Sequence, residues 1–457
     1  MKRLASLFLI LSLLLSLSAC SGLSLPGSVS KKASSGMLCS PDLPSTPDLP
    51  DEMAYYDDAT GKWDDAALKE ADAAYSDYMT GVRTAAGAYD SSDLSAFYRS
   101  ALPLLLPEGE ENALCSPLNI YLALAMLAEI TDGTSRSQIL SAMGEENMAS
   151  LAAQVENIWS ANYRNGDTAK CLLASSVWLK DGLSFRKAAL DRLAGFHRAS
   201  AYSGEPGSDA MDQALRRWMN DATGNLLTDQ IDRITLPKDL VAALVTALYY
   251  KSPWMEGFSR EVSYQGDFAA SSGETVTVSY LFESRVGSIY DGEGFTAASK
   301  KLLDGSTMWF LLPDEGVSPS SLLSSGSVTD LLYGSVPSGQ YLVRLSVPEF
   351  DVTAHLDLMP VLAALGITDV ADASLSDFSP LVDDSARIAL TSAVHGARLK
   401  LDEDGVEAAA YTMMVAAAGV IETQGEYDFV LDRPFVFALT SQAGDLLFAG
   451  TVGNPAA

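Results

Sequence analysis

Hydrophobic and polar residues alternate most cleanly near the C-terminus, where Ala397, Leu399 and Leu401 interleave with Arg398, Lys400 and Asp402. A period of two marks a strand with one buried face, and it stops at the acidic turn Asp402-Glu403-Asp404-Gly405. Surface loops are ordinarily polar, yet from Val406 to Val420 the only charge is Glu407. Written with period two, one face carries Val406, Ala408, Ala410, Thr412, Met414 and Ala416, and the other carries Glu407 and Tyr411. Such a face suits the middle of a sheet. The alanines suit a helix equally, and propensity leaves both readings open.

Upstream the period changes to that of helices. Leu68, Ala71, Tyr75, Tyr78, Met79 and Val82 recur at helical spacing, as do Leu94, Phe97, Tyr98, Ala101, Leu102 and Leu105, the second set interrupted by Pro103. Ser116 followed by Pro117 reads as an N-cap and first helical residue, and the helix after it is apolar on every side, hence buried. Continuous apolar runs at Leu173–Leu179, Ala243–Tyr250 and Trp309–Pro313, with alternation from Tyr341 to Phe350, predict strands. The mixture makes the chain an α+β protein.

A chain of 457 residues with 48% hydrophobic and 19% charged residues buries a large core. Its net charge of −29 excludes nucleic acid as a partner. The N-terminus begins Met1-Lys2-Arg3 and continues as an apolar run from Leu4 to Ala19, the length of a signal peptide and short for a membrane span. It ends Leu17-Ser18-Ala19-Cys20, which resembles a bacterial lipobox. That resemblance implies an exported cell-envelope lipoprotein, held to the membrane by acyl chains on Cys20; an ordinary signal peptide is the alternative. Residues 20–61, rich in Ser and Pro with two PDLP repeats, are expected to form a tether off the membrane. Residues 62–91 form a helical extension, and the main domain occupies 92–457.

Three further cysteines, Cys39, Cys115 and Cys171, form no metal-ligand spacing, and the last two lie in apolar runs as buried thiols. Neither a metal nor another cofactor is expected. Enzymatic motifs are equally scarce. The three histidines, His197, His355 and His395, stand in no nucleophile or metalloprotease pattern, and an SxxK match at Ser28–Lys31 falls in the tether. Asp402, Glu403 and Asp404 do not have the spacing of an EF-hand loop.

The run His395-Gly396-Ala397 to Asp402-Glu403-Asp404-Gly405-Val406-Glu407-Ala408-Ala409-Ala410 resembles the reactive-loop hinge of the serpins. Asp432-Arg433-Pro434-Phe435 and Phe448 to Pro455 resemble that family's closing strands; Ser116-Pro117-Leu118-Asn119-Ile120 resembles the start of its buried second helix, and the stretch through Thr246 to Trp254 one of its central strands. The resemblance runs collinearly from about Ser92 to Pro455. It implies a large central, mostly antiparallel sheet, further sheets, eight or nine helices and an exposed bait loop.

It also implies function. A target protease would cleave the bait loop as a suicide substrate, and the loop would insert into the sheet before the acyl-enzyme hydrolyses. The resemblance assigns Glu403, Gly405, Val406, Glu407, Ala408, Ala409, Ala410 and Thr412 to the hinge. It assigns His395, Ser116, Asn119 and Thr246 to the region where the sheet opens, and the bait bond to Gly419-Val420 within a window of Ala416, Ala417, Ala418 and Ile421. Small and aliphatic residues there point to elastase-like, subtilisin-like or papain-like targets. Gly405 is expected to turn the chain, Val406 to enter the sheet first and Glu407 to remain in water. Three departures stand out: Asn119 where Ser is usual, Thr246 where Asn is usual, and Glu349 where a basic partner for Glu403 is common. A monomer is expected, and a non-inhibitory binding protein of the same fold is the alternative.

Overall fold

The computed structural model describes residues 36–57, 59–106, 111–225, 235–382, 388–407 and 423–457. Two large sheets carry most of the core. The central one runs, in spatial order, β1 (Met37–Cys39), β4 (Ser200–Gly204), β3 (Lys170–Lys180), β5 (Ala242–Pro253), β8 (Gly405–Val406), β7 (Leu390–Leu401) and β6 (Phe350–Asp357), with the short β2 (Arg164–Asn165) beside β3. Most neighbours are antiparallel, but β3 pairs parallel to β4, and β5 parallel to β7. The second sheet has nine strands and includes the closing pair Phe435–Thr440 and Leu446–Val452, every residue of which is buried. Ten α-helices lie among the described residues, nine of them after Ser92.

Alternation decides the two faces of β5. Ala242, Leu244 and Leu248 join the main core, whereas Ala243, Val245 and Ala247 pack with Met211, Leu215 and Trp218 of a helix on the opposite face, Asp209–Ala222. Under the inner face lies the helix Pro117–Ile130, apolar all round and buried at all but one position. Ser116 caps it, its Oγ accepting from the Asn119 N–H at 3.4 Å. Pro103, expected to kink or end its helix, stands two residues before the end of Ser95–Leu105. A proline this close to the end clashes only with the preceding turn.

Within the tether expected over 20–61, the described residues 36–57 do not stand off the domain. From Gly36 onward the chain lies on the body, where β1 adds an edge strand to β4. Asp48, inside the second PDLP repeat, accepts the backbone N–H groups of Asp167 at 2.5 Å and Thr168 at 2.8 Å, and Tyr163 donates to the Pro44 carbonyl at 2.9 Å. Tyr56–Asp57 pairs with Lys62–Trp63 across the boundary set at 61, and the expected helix follows at Asp65–Ala86. Composition did not show this docking, because three strand residues and one carboxylate suffice once β4 offers an open edge. The leader 1–19 and Cys20 lie outside the described residues. Among the described residues no helix is long and apolar enough to cross a membrane.

Candidate functional site

The site begins where β7 ends. Leu401 is buried and the chain reverses over Asp402–Asp404, whose backbone is held by the segment after β5: the Trp254 indole donates to the Asp402 carbonyl at 2.9 Å, and the Trp254 N–H to the Asp404 carbonyl at 3.1 Å. The turn itself is made by Asp402, whose Oδ1 accepts the N–H groups of Asp404 at 3.0 Å and Gly405 at 3.3 Å. Gly405 closes the same turn, its carbonyl accepting the Asp402 N–H at 3.1 Å and its φ at 159°, and it opens the strand that follows.

Val406 is already inside the sheet, 1% exposed, facing Ser252 of β5 on one side and Leu401 of β7 on the other. Past it, Glu407 adopts φ 49°, rare for a non-glycine residue, and its N–H donates to the Lys400 carbonyl at 3.0 Å. Glu407, expected to remain in water, is half-buried. Burial pushes its carboxyl up to about 8 against the pull of Arg398, with Asp351 adding to the rise and Lys400 and Lys251 opposing it. The folded protein therefore holds a proton that the unfolded chain loses at the ordinary carboxylate value. Its contribution to native stability is lost as pH rises from about 4.5 to about 8. Glu407→Gln should flatten the fall in apparent melting temperature across that window; an unchanged slope would place the titration elsewhere.

Glu349 is an acid facing acids: burial raises its carboxyl, and Glu403 and Asp402 raise it further. The cation for Glu403 comes from Arg260, in the loop after β5, at 2.7 Å, and Arg260 also reaches Asp404 at 3.3 Å. Its side chain is 68% exposed, so the pair is a light fastening on the hinge. His395 takes no part in this pair.

Fully buried, His395 lies lower in the sheet, where it joins three elements. Its Nε2 accepts the Ser116 N–H at 3.0 Å, so the neutral ring carries its proton on Nδ1, which meets Thr246 Oγ1 at 3.1 Å. Asn119 donates to the same Thr246 oxygen at 2.7 Å and to the Ala174 carbonyl at 3.3 Å. Burial, with His355 nearby, pushes the imidazole down to about 3. The threonine at 246 thus keeps the strands connected, while Asn119 leaves its buried Oδ1 without a partner. These four residues hold the closed part of the sheet, where β5 and β7 pair directly from Leu390 to Ala397.

The family model described as "Serpin (serine protease inhibitor)" matches residues 101–455. The chain is a serpin. Serpin-ZX of Arabidopsis thaliana is 27% identical over 365 residues, covering 75% of this chain and 92% of the relative. Among solved structures, the Arabidopsis serpin AtSerpin1 in its native stressed conformation superposes with a TM-score of 0.71 at 24% identity, covering 81% of this chain and all of that one. Human thyroxine-binding globulin complexed with thyroxine has a TM-score of 0.68 at 19% identity, covering 82% and 99%. The family is generally one of protease inhibitors rather than enzymes.

This serpin brings Glu403, Gly405, Val406 and Glu407 together at one end of the central sheet, and His395, Ser116, Asn119 and Thr246 at its middle. Ala408, Ala409, Ala410, Thr412, Ala416, Ala417, Ala418, Gly419, Val420 and Ile421 lie outside the described residues. Asp402 lay in the acidic turn read from the sequence without a role of its own, and Arg260 was missed. The Asx-type turn at Asp402 was readable from the sequence; the pairing with Arg260, separated by more than a hundred residues, was not.

Proposed function

We propose that this serpin inhibits proteases as a suicide substrate, its cleaved loop inserting as a new strand between β5 and β7. One observation carries the reading, the register of β8. Its two pairings, Val406 with Ser252 and Val406 with Leu401, fix where each later residue would lie against either neighbour. Extended downward, they bring Ala410 between Leu248 and Ala397, and Thr412 between Thr246 and His395. Those same residues already face each other in the closed part of the sheet, Leu248 with Ala397 and Thr246 with His395. The two strands therefore need only part, with no sliding along their length, to receive the loop.

The side chains suit that slot. Val406, Ala408, Ala410, Thr412, Met414 and Ala416 would face the inner core without a charge to bury. Tyr411, the one bulky residue early on the other face, would arrive opposite Ala247 and Gly396, both small. Insertion would also supply backbone partners on both sides of the new strand, which is the source of free energy for a native state held away from its most stable fold.

The proposed bait bond is Gly419-Val420 within Ala416 to Ile421, suited to elastase-like, subtilisin-like or papain-like enzymes. Export and acylation at Cys20 would place the inhibitor on the cell envelope. A purely binding role for the same fold is the second reading, supported by the likeness to thyroxine-binding globulin, whose complex with thyroxine shows that fold holding a small ligand.

Mixing the protein with pancreatic elastase, subtilisin, papain or trypsin, boiling in detergent and sizing the products separates the two. A covalent band near the summed masses, with cleavage inside 416–421 and none formed with trypsin, is the expected result. Clean cleavage with no band and no gain in heat resistance would leave the binding role.

A further inference from the structure

All three carbonyls of the hinge turn accept from two residues of one short segment after β5. Asp402 takes the Trp254 indole N–H at 2.9 Å, Asp404 the Trp254 backbone N–H at 3.1 Å and Glu403 the Phe258 N–H at 3.4 Å. The rings of the same two residues are buried and pack edge to face, 5.5 Å between centres. Lys300 sets its ammonium over both of them, 4.3 Å from the centre of the Phe258 ring and 5.5 Å from that of Trp254. Both distances fall within the about 6 Å over which a ring face attracts a cation.

Lys300 belongs to the second sheet, in the strand Phe295–Lys301, and is 3% exposed. An ammonium taken out of water needs a counter-charge, and Glu283 of the adjacent strand Thr275–Gly292 supplies it. The other oxygen of Glu283 accepts from Arg285 Nε at 2.8 Å, which fixes the carboxylate in turn. The backbone ties the same places together, since the Lys301 carbonyl accepts the Met255 N–H at 3.1 Å and Trp254 bridges to Leu302. The attraction of a cation is directed at the ring faces, so an ammonium held by Glu283 sets the position of both rings, where an apolar side chain would only fill space.

Resting on the trapping reading, we infer that Lys300 is a positioning residue of the insertion step, fixing the two residues that hold the turn on which the loop folds into the sheet. β7 and β8 run antiparallel on either side of that turn, so insertion lengthens β8 while the turn stays where it is. A turn that shifts lets the register of the new strand slip, and insertion loses time against deacylation. Arg260 grips the acidic side chains of the turn from its exposed side; Lys300 acts on the turn's backbone from the interior, through Trp254 and Phe258.

The test compares the full chain with Lys300→Met and with Lys300→Met/Glu283→Gln. The second removes both buried charges at nearly constant volume, a change that buried ion pairs commonly tolerate. Each protein is mixed with subtilisin, and covalent complex is counted against inhibitor cleaved within 416–421 and released. Both variants should yield at least fivefold less complex per loop cleaved. Amide hydrogen exchange followed by mass spectrometry should quicken at least tenfold over residues 254–258 and stay at the parental rate over the helix Pro117–Ile130. Complex per cleavage at the parental level in the double variant would overturn the inference and leave the trapping reading intact. Parental exchange over 254–258 would overturn it too, as would a rise shared equally by the helix, which would make the role one of general stability. Absence of complex from the parental chain would overturn the trapping reading and this inference together.

Discussion

Replacing Val406 with Arg should turn this serpin from a trap into a substrate. Val406 is the first inserted residue, 1% exposed between Ser252 and Leu401, and its side chain points to the inner core. A guanidinium at this position would have to leave water for that core, and desolvating a charge costs several kcal/mol. The two-residue strand β8 is expected to leave the sheet in the Arg variant, so that insertion has to bury the charge anew; about 3 kcal/mol of that cost on the barrier slows the step roughly a hundredfold. Deacylation by the protease is unaffected, since it uses the enzyme's own machinery. Insertion then loses the race, and the covalent band gives way to cleaved inhibitor and free enzyme. Val406→Ala, small and apolar, should keep trapping near the parental level. Burst titration of active protease against each variant reads both outcomes. Equal stoichiometry for the Arg variant and the parent would rule out insertion through this hinge.

The features that make Val406 decisive were legible to different degrees. Alternation over Ala397 to Leu401 identified β7 and its buried face, because a strand with one wet side records its period directly in the chain. The run from Val406 to Val420, with Glu407 its only charge, suited the middle of a sheet, although propensity did not separate strand from helix there. The register was not legible: it depends on which residues of β5, some 150 positions upstream, meet the hinge, and no local pattern encodes that. Arg260 was hidden for the same reason, as a partner for Glu403 supplied by a distant loop while Glu349 occupies the usual place. Docking of 36–57 was hidden by composition, since Pro and Ser mark a segment that builds no core of its own and say little about an edge it can borrow. His395 stands in no catalytic pattern of the sequence, and its partners, the Ser116 amide and the Thr246 hydroxyl, come from positions 279 and 149 residues away that no local pattern connects to it.

His395→Ala should weaken the closed sheet, and the effect differs in kind from that at Val406. The imidazole joins β7 to Thr246 of β5 and accepts the Ser116 N–H at the start of the buried helix. Truncation leaves the buried Ser116 amide without its partner, at about 1–3 kcal/mol, and takes from Thr246 one of its two contacts, that with Asn119 remaining. To admit a strand, β5 and β7 must separate by one further spacing of about 4.8 Å. That breaks the 3.1 Å contact between His395 and Thr246. The closed state thus loses an interaction that the opened state never has, and the barrier to opening falls with it. A fall of about 3 kcal/mol shortens the lifetime of the uncleaved native form roughly a hundredfold. His395→Gln, which keeps an acceptor for Ser116, should recover much of it. Acid acts on the same fastening: burial holds the ring neutral down to about 3, whereas in the unfolded chain it protonates near 6.5. The native form therefore loses stability as pH falls from about 6.5 toward 3. The Gln variant should not show this component. The readout is the rate at which uncleaved protein loses inhibitory activity and gains heat resistance at 37 °C; a lifetime unchanged in His395→Ala would show that the lock resides elsewhere.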